Sequence, residues 1–268
     1  MNKEDLLEIL AAVKELAIAA GEKILENTPT GQNVDYKIDG SPVSKADLAS
    51  HEVIFAGLAE LDHTIPIISE ESDINIHHLR DSGAELFWLV DPLDGTKDFI
   101  KGLSEYTVNI ALISKDTPIM GVVYLPARDH LYFATQATGA WKREGSGSVI
   151  QINTKQSLKG TSLTAAVSRS HSSVETVEFL ASYGITEVIK SGSSVKICLV
   201  AEGKADLYPR LGPTSLWDTA AGVAIAREAG CRVVDLNGYE LSYDLHSGIL
   251  HHGFLVYSPF TFKPNLAG

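Results

Sequence analysis

The sequence predicts a mixed chain, α+β in its first half and α/β in its second, with a site in the cleft between the halves. Three observations carry this. Apolar or alternating runs at 107–113, 119–125, 131–135 and 149–152 are broken by Asp116, Pro118, Pro126, Gly139 and a turn at 145–148, which reads as an antiparallel meander. From about residue 162 strand and helix patterns alternate. Three separated segments also end in acid: Glu70 with Glu71, Asp91 with Asp94, and Asp218. The boundary is expected near 153–160, giving an N-terminal half over 1–155 and a C-terminal half over 156–268, and pockets commonly form at such junctions.

In chain order, residues 2–27 place Leu6, Leu7, Ile9, Leu10, Val13, Leu16, Ala17, Ala20 and Ile24 at helical spacing, with acids early and Gly31 beyond the end, so a long amphipathic helix opens the chain. Residues 28–42 are polar with Gly and Pro and predict a loop or hairpin near the site. Ser44 and Asp47 have the spacing of a capping box and start a second helix. A strand at 65–69 ends in Glu70. The apolar run 86–90 then delivers Asp91; Pro92 fixes its own φ and Gly95 permits unusual backbone geometry, so Asp91 and Asp94 are expected on a sharp turn. In the second half the pattern predicts strands at 162–168, 187–189, 207–208, 232–235 and 254–257, and helices at 174–183, 194–202 and 217–229.

With 268 residues, 44% hydrophobic and 21% charged, the chain is long enough to bury one large core or two adjoining ones. Its net charge is −12 and no Lys/Arg run forms a footprint for a nucleic-acid polymer, so an anionic substrate would need metal ions or a local cationic pocket. Cys198 and Cys231 lie among apolar or small residues and predict buried free thiols in a reducing compartment. No signal peptide or apolar run of membrane-spanning length is visible, which predicts a cytoplasmic protein without a transmembrane segment. Dinucleotide, Walker, zincin and serine-hydrolase motifs are absent from the sequence. His77, His78, His246, His251 and His252 have no metal-site spacing and are expected on the surface or in loops.

Any one of the acids could be a helix cap or a solvated loop end. Taken together, carboxylates with a threonine hydroxyl and no Cys or His form a hard-oxygen donor set, suited to Mg²⁺ or Mn²⁺ rather than zinc, and two-metal hydrolysis is the natural chemistry.

The segments Ser69, Glu70, Glu71, Ser72, then Asp91, Pro92, Leu93, Asp94, Gly95, Thr96, then Trp217, Asp218, Thr219, Ala220, Ala221, Gly222 resemble the Mg²⁺-dependent, lithium-sensitive phosphatases of the inositol monophosphatase superfamily. Lys97, Asp98 and Phe99, with the stretches 191–196 and 205–210, are similar to its 3′(2′),5′-bisphosphate nucleotidase branch. That resemblance implies a layered sugar-phosphatase-like fold with alternating helix and sheet layers, and two or three Mg²⁺ ions. Glu70, Asp91 and the Leu93 carbonyl would hold the first ion, and Asp91, Asp94 and Asp218 the second. Asp47, Glu70 and Thr96 would bind or orient the attacking water, and the Gly95 and Thr96 amides would face the phosphate. His171, Ser193, Lys196, Arg210 and Asp218 would meet a small nucleotide bisphosphate. The implied reaction is hydrolysis of adenosine 3′,5′-bisphosphate to AMP and phosphate, linked to sulfate assimilation, by a monomer or homodimer. Some members of the branch are peripheral on the cytoplasmic face of the inner membrane, so that position stays open. The alternatives are an inositol or sugar monophosphatase and a catalytically silent nucleotide or metal sensor, whose signature would be a lost ligand; none of the expected acids is missing.

Overall fold

The computed structural model describes residues 2–28, 34–36, 42–72, 84–157, 162–169 and 173–265. Helix α1 (Lys3–Glu26) begins at Asn2, whose Oδ1 accepts from the Asp5 amide at 2.9 Å while Asp5 Oδ2 accepts from the Asn2 amide at 3.0 Å. This closes a capping box and fixes the start of the helix. Strands β1 (Val34–Tyr36) and β2 (Pro42–Ser44) pair antiparallel, within the stretch expected to form a loop or hairpin, and residues 37–41 between them lie outside the described residues. Helix α2 (Lys45–Leu61) follows and packs on α1, where Gly57 leaves the room that Leu16 occupies.

A seven-stranded sheet runs in the order β3 (Ile67–Ser69), β4 (Leu86–Asp94), β5 (Thr107–Ser114), β6 (Thr117–Leu125), β7 (His130–Thr135), β8 (Ala140–Glu144) and β9 (Ile150–Ile152). Only the β3–β4 pair is parallel; the rest is the expected meander. Strand β8 was not in the sequence reading. Its charged residues Lys142, Arg143 and Glu144 mask the alternation, yet Lys142 is 2% exposed because its Nζ bonds Glu202 at 2.7 Å and lies over the Tyr132 ring. A partner sixty residues on satisfies it, and no local pattern reveals that.

The apolar run in β4 is continuous because both sheet faces are covered. Trp88 and Val90 pack with α1 and α2, whereas Phe87 and Leu89 join a second cluster with Val200, Ala220 and Ala221. Those residues belong to helices α5 (Val195–Ala201) and α6 (Leu216–Glu228), numbered after α3 (Thr96–Ile100) and α4 (Val174–Ser182). On the far side of α5 and α6 lies a five-stranded sheet in the order β11 (Glu187–Ser191), β10 (Thr164–Ser168), β12 (Leu207–Arg210), β16 (Phe254–Tyr257) and β14 (Arg232–Asp235). Leu180 of α4 packs with Ala165, Val167 and Leu207 on its outer face. The layers therefore alternate helix, sheet, helix, sheet, helix. One buried cluster takes residues from both sheets. A two-residue ribbon pairs β13 (Thr214–Ser215), which leads into α6, with β15 (Leu250–His251).

Cys198 and Cys231 are both buried and free. His251, expected in a loop, is instead 7% exposed: the ribbon places its ring edge-on to Tyr243 and Phe254. Among the described residues no helix is long and apolar enough to cross a membrane.

Candidate active site

Asp91 and Asp94 do not sit on a turn. Strand β4 continues through Pro92 to Asp94, and its register with β5 shifts between the two acids, which marks a bulge. The bulge is where a proline is tolerated in a strand. The Pro92 carbonyl accepts from Ser50 Oγ at 2.7 Å, and the Leu93 amide donates to Asp91 Oδ1 at 3.0 Å. Gly95, with φ of 94°, then turns the chain into α3. A side chain is disfavoured there, and the strand-to-helix change is that sharp only because glycine permits it.

Glu70 follows β3, Asp91 lies in β4, and Asp218 occupies the first turn of α6; one carboxylate oxygen of each lies within 4.8 Å of the others. Asp218 is held by its own N-terminus, with Oδ2 accepting from Thr214 Oγ1 at 2.8 Å and from the Ser215 amide at 3.3 Å. Asp94 stands outside this triangle, since its Oδ2 accepts from the Ser194 amide at 2.7 Å. Asp47 accepts from the Ser44 amide and hydroxyl at 2.7 and 2.6 Å, so it caps α2 as its spacing predicts, and its other oxygen accepts from Thr96 Oγ1 at 3.0 Å. The capping residue is thereby also tied to the site.

Burial, followed by the charges of Glu70 and Asp94, pushes the Asp91 carboxyl well above the usual range. Burial and then Asp94 push Asp218 up to about 7, and burial pushes Asp94 up to about 6 against the opposing pull of Lys196 and the Ser194 amide. A buried group of hard oxygen donors whose like charges repel is stabilised by a divalent cation, so the residues present fit a metal of the Mg²⁺ class.

The same residues line a cleft of about 850 Å³, together with Gly95, Thr96, Ser193, Lys196 and Arg210. Lys196 is buried rather than solvated; its Nζ donates to the Ser193 carbonyl and lies 5.4 Å from the Tyr208 ring centroid, and burial lowers it to about 8. Arg210 ends β12 and donates from Nη2 to the Pro213 carbonyl at 2.6 Å. His171, His77 and His78 lie outside the described residues.

Sequence reasoning missed Thr107, Asn109 and Ser194. Ser194 Oγ donates to Asn109 Oδ1 at 2.8 Å and lies 2.9 Å from Thr107 Oγ1, which joins the first sheet to the start of α5 behind Asp94. The available signal was two polar residues, Thr107 and Asn109, at the start of an otherwise apolar strand.

A family model described as the inositol monophosphatase family matches residues 5–258. The chain belongs to the inositol monophosphatase family. Within it, the chain is 44% identical over 254 residues to the 3′(2′),5′-bisphosphate nucleotidase CysQ of Salmonella typhimurium, covering 92% of this chain and 99% of that one. The CysQ nucleotidase of Escherichia coli K12 is 43% identical with the same coverage. Among solved structures, CysQ from Bacteroides thetaiotaomicron superposes with a TM-score of 0.81 at 40% identity, covering 94% of this chain and 97% of that one. An inositol monophosphatase from Thermotoga maritima shares the fold, with a TM-score of 0.77 at 22% identity over 94% and 93% of the two chains. Enzymes of the inositol monophosphatase family are metal dependent, and the acidic triangle is the matching feature here.

Proposed function

We propose that the protein is a Mg²⁺-dependent 3′(2′),5′-bisphosphate nucleotidase that converts adenosine 3′,5′-bisphosphate to AMP and phosphate, clearing a by-product of sulfate assimilation in a reducing cytoplasm. The names of its relatives support this reading. The observation that carries it is that Glu70, Asp91 and Asp218 converge in the same cleft as Lys196 and Arg210. The acids suit metal ions, and the two cations suit a second phosphate that an inositol monophosphate lacks.

Glu70, Asp91 and the Leu93 carbonyl would hold one Mg²⁺, and Asp91, Asp94 and Asp218 a second, with Asp91 shared. Bound there, the ions supply the charge that offsets a phosphomonoester's own and acidify water. The residues of the chain do the positioning. The Thr96 hydroxyl has one proton to share between Asp47 Oδ1 at 3.0 Å and the Leu93 carbonyl at 3.2 Å, and its lone pairs would accept from water beside Glu70. The Gly95 and Thr96 amides precede the first hydrogen-bonded turn of α3 and face the phosphate in this reading. Lys196, Arg210 and Ser193 would meet the nucleotide, with His171 assigned there by resemblance alone.

Phosphate release from adenosine 3′,5′-bisphosphate and from inositol 1-phosphate, side by side, tests the reading. A preference of about tenfold or more for the nucleotide, lost on adding chelator, is expected. Preference for inositol phosphate would overturn the substrate, and turnover of neither would leave a silent sensor.

A further inference from the structure

Glu105, in the connection between α3 and β5, is 6% exposed, and three donors converge on its carboxylate. Oε1 accepts from Arg128 Nη2 at 2.8 Å; Oε2 accepts from Arg169 Nη2 at 2.6 Å and from the Gly192 amide at 2.9 Å. Arg169 follows β10 and Gly192 follows β11, so one carboxylate of the first half grips two segments of the second. Burial alone would push its carboxyl up, but the Gly192 amide and the two guanidinium groups outweigh it and hold the carboxyl low.

The grip fixes a strained loop. A Cβ on Gly192 would lie 2.6 Å from Asp98 Oδ2 and 2.7 Å from the Glu105 carbonyl, so only glycine fits there. Ser193 has φ of 43°, a left-handed backbone that a residue with a side chain adopts only when its surroundings enforce it. Its Oγ lies 2.9 Å from Thr107 Oγ1, its carbonyl takes Lys196, and the next amide reaches Asp94. The geometry of Lys196 and Asp94 therefore depends on where Glu105 holds Gly192.

Arg169 differs from Arg128 in one respect: it lines the cleft, and Arg128 is not among the lining residues. Its side chain keeps 41% exposure, and of its five N–H donors Glu105 takes one. Glu105 shares its one negative charge between two guanidinium groups, so Arg169 keeps positive charge at the cleft lining. Asp98 adds a negative charge to that lining, and Lys97 and Lys101 add two positive ones. A purely structural partner for Glu105 would need no place in the cleft lining, as Arg128 shows by serving the same carboxylate from outside it. A guanidinium fork aimed into an anion-binding cleft has a different use.

We propose that Arg169 is a further binding group for the phosphate that is not cleaved, and that Glu105 is the positioning residue that holds Arg169 and the 192–194 loop in register with it. This rests on the nucleotidase reading. The test compares adenosine 3′,5′-bisphosphate with adenosine 3′-monophosphate, which lacks the second phosphate, in the Mg²⁺-loaded protein. Arg169→Met is expected to lower the ratio of the two kcat/KM values by about 10- to 100-fold, the loss lying in KM for the bisphosphate, as removal of a charge-assisted bond implies. Arg169→Lys should restore part of it. Glu105→Gln should lower the same ratio by roughly three- to tenfold. A parallel fall for both substrates, with the ratio unmoved in Arg169→Met, would mean a purely structural role and overturn the proposal; an unmoved ratio in Glu105→Gln would overturn the positioning role.

Calorimetric titration with AMP and with adenosine separates this outcome from failure of the function itself. AMP affinity should fall by about 10- to 100-fold in Arg169→Met with adenosine little affected. If the unchanged protein releases no phosphate from the bisphosphate but this difference is found, the nucleotidase reading falls and the anion subsite stands. If the bisphosphate is turned over and Arg169→Met changes neither ratio nor AMP affinity, the subsite falls and the reading stands.

Discussion

Asp91 is 1% exposed and shares its surroundings with Glu70, Asp94 and Asp218. A carboxyl raised in the folded state opposes folding wherever it must ionise, so the site costs stability above the ordinary carboxylate range unless a cation offsets it. Asp91→Asn should therefore raise the melting temperature in chelator at pH 8, by roughly 2–4 °C for each kcal/mol relieved, while lowering kcat by about a thousandfold or more. Added Mg²⁺ should stabilise the unchanged protein and not the variant. Calorimetry with and without chelator checks both; a variant that melts lower in chelator would contradict the picture. His251 offers a pH signature. Burial lowers its ring to about 4 from 6.5, so in the folded protein it stays neutral where the unfolded chain takes up a proton. Its contribution is complete above about pH 6.5 and declines as pH falls towards 4, by as much as about 3 kcal/mol. The stability of the unchanged protein minus that of His251→Leu should fall as pH is lowered across that window; a difference constant from pH 7 to 4 would refute it.

Among the elements, α6 carries most of the coupling between core and site. It brings Asp218 to the acids at its first turn and lies so close to β6 that a Cβ on Gly121 would sit 2.2 Å from the Ala221 carbonyl oxygen. Backbone cannot yield as a flexible side chain does. Gly121→Ala should cost about 1–3 kcal/mol in denaturant unfolding and reduce kcat as well, since the helix can make room only by carrying Asp218 away. An unchanged midpoint with unchanged kcat would show that the contact is slack. Elsewhere the elements were readable where local chemistry sets them: the helix start at Ser44, the amphipathic stripe of α1, and the apolar strands β5 to β7. Strand β8 was not, because the residue that defines its buried face is a lysine.

For the whole molecule, the layered order brings three acidic segments, far apart in the chain, to one cleft. Binding a cation there should stabilise the assembled fold by mass action, about 2.7 kcal/mol at a hundredfold excess over Kd. By itself the sequence determined the family, the hard-oxygen chemistry and most elements, because capping, periodicity and residue type act within a few positions. It placed Asp91 and Asp94 on a turn, and Lys196 offered no local sign of being buried. Only the tertiary structure decided that the acids lie across a strand bulge, that Glu70, Asp91 and Asp218 meet within 4.8 Å while Asp94 turns to Ser194, and that Glu105 binds Arg169 and Gly192. These are contacts between segments tens of residues apart. Their distances are set by how closely the α5 and α6 layer packs between two sheets, and no short stretch of sequence encodes that spacing.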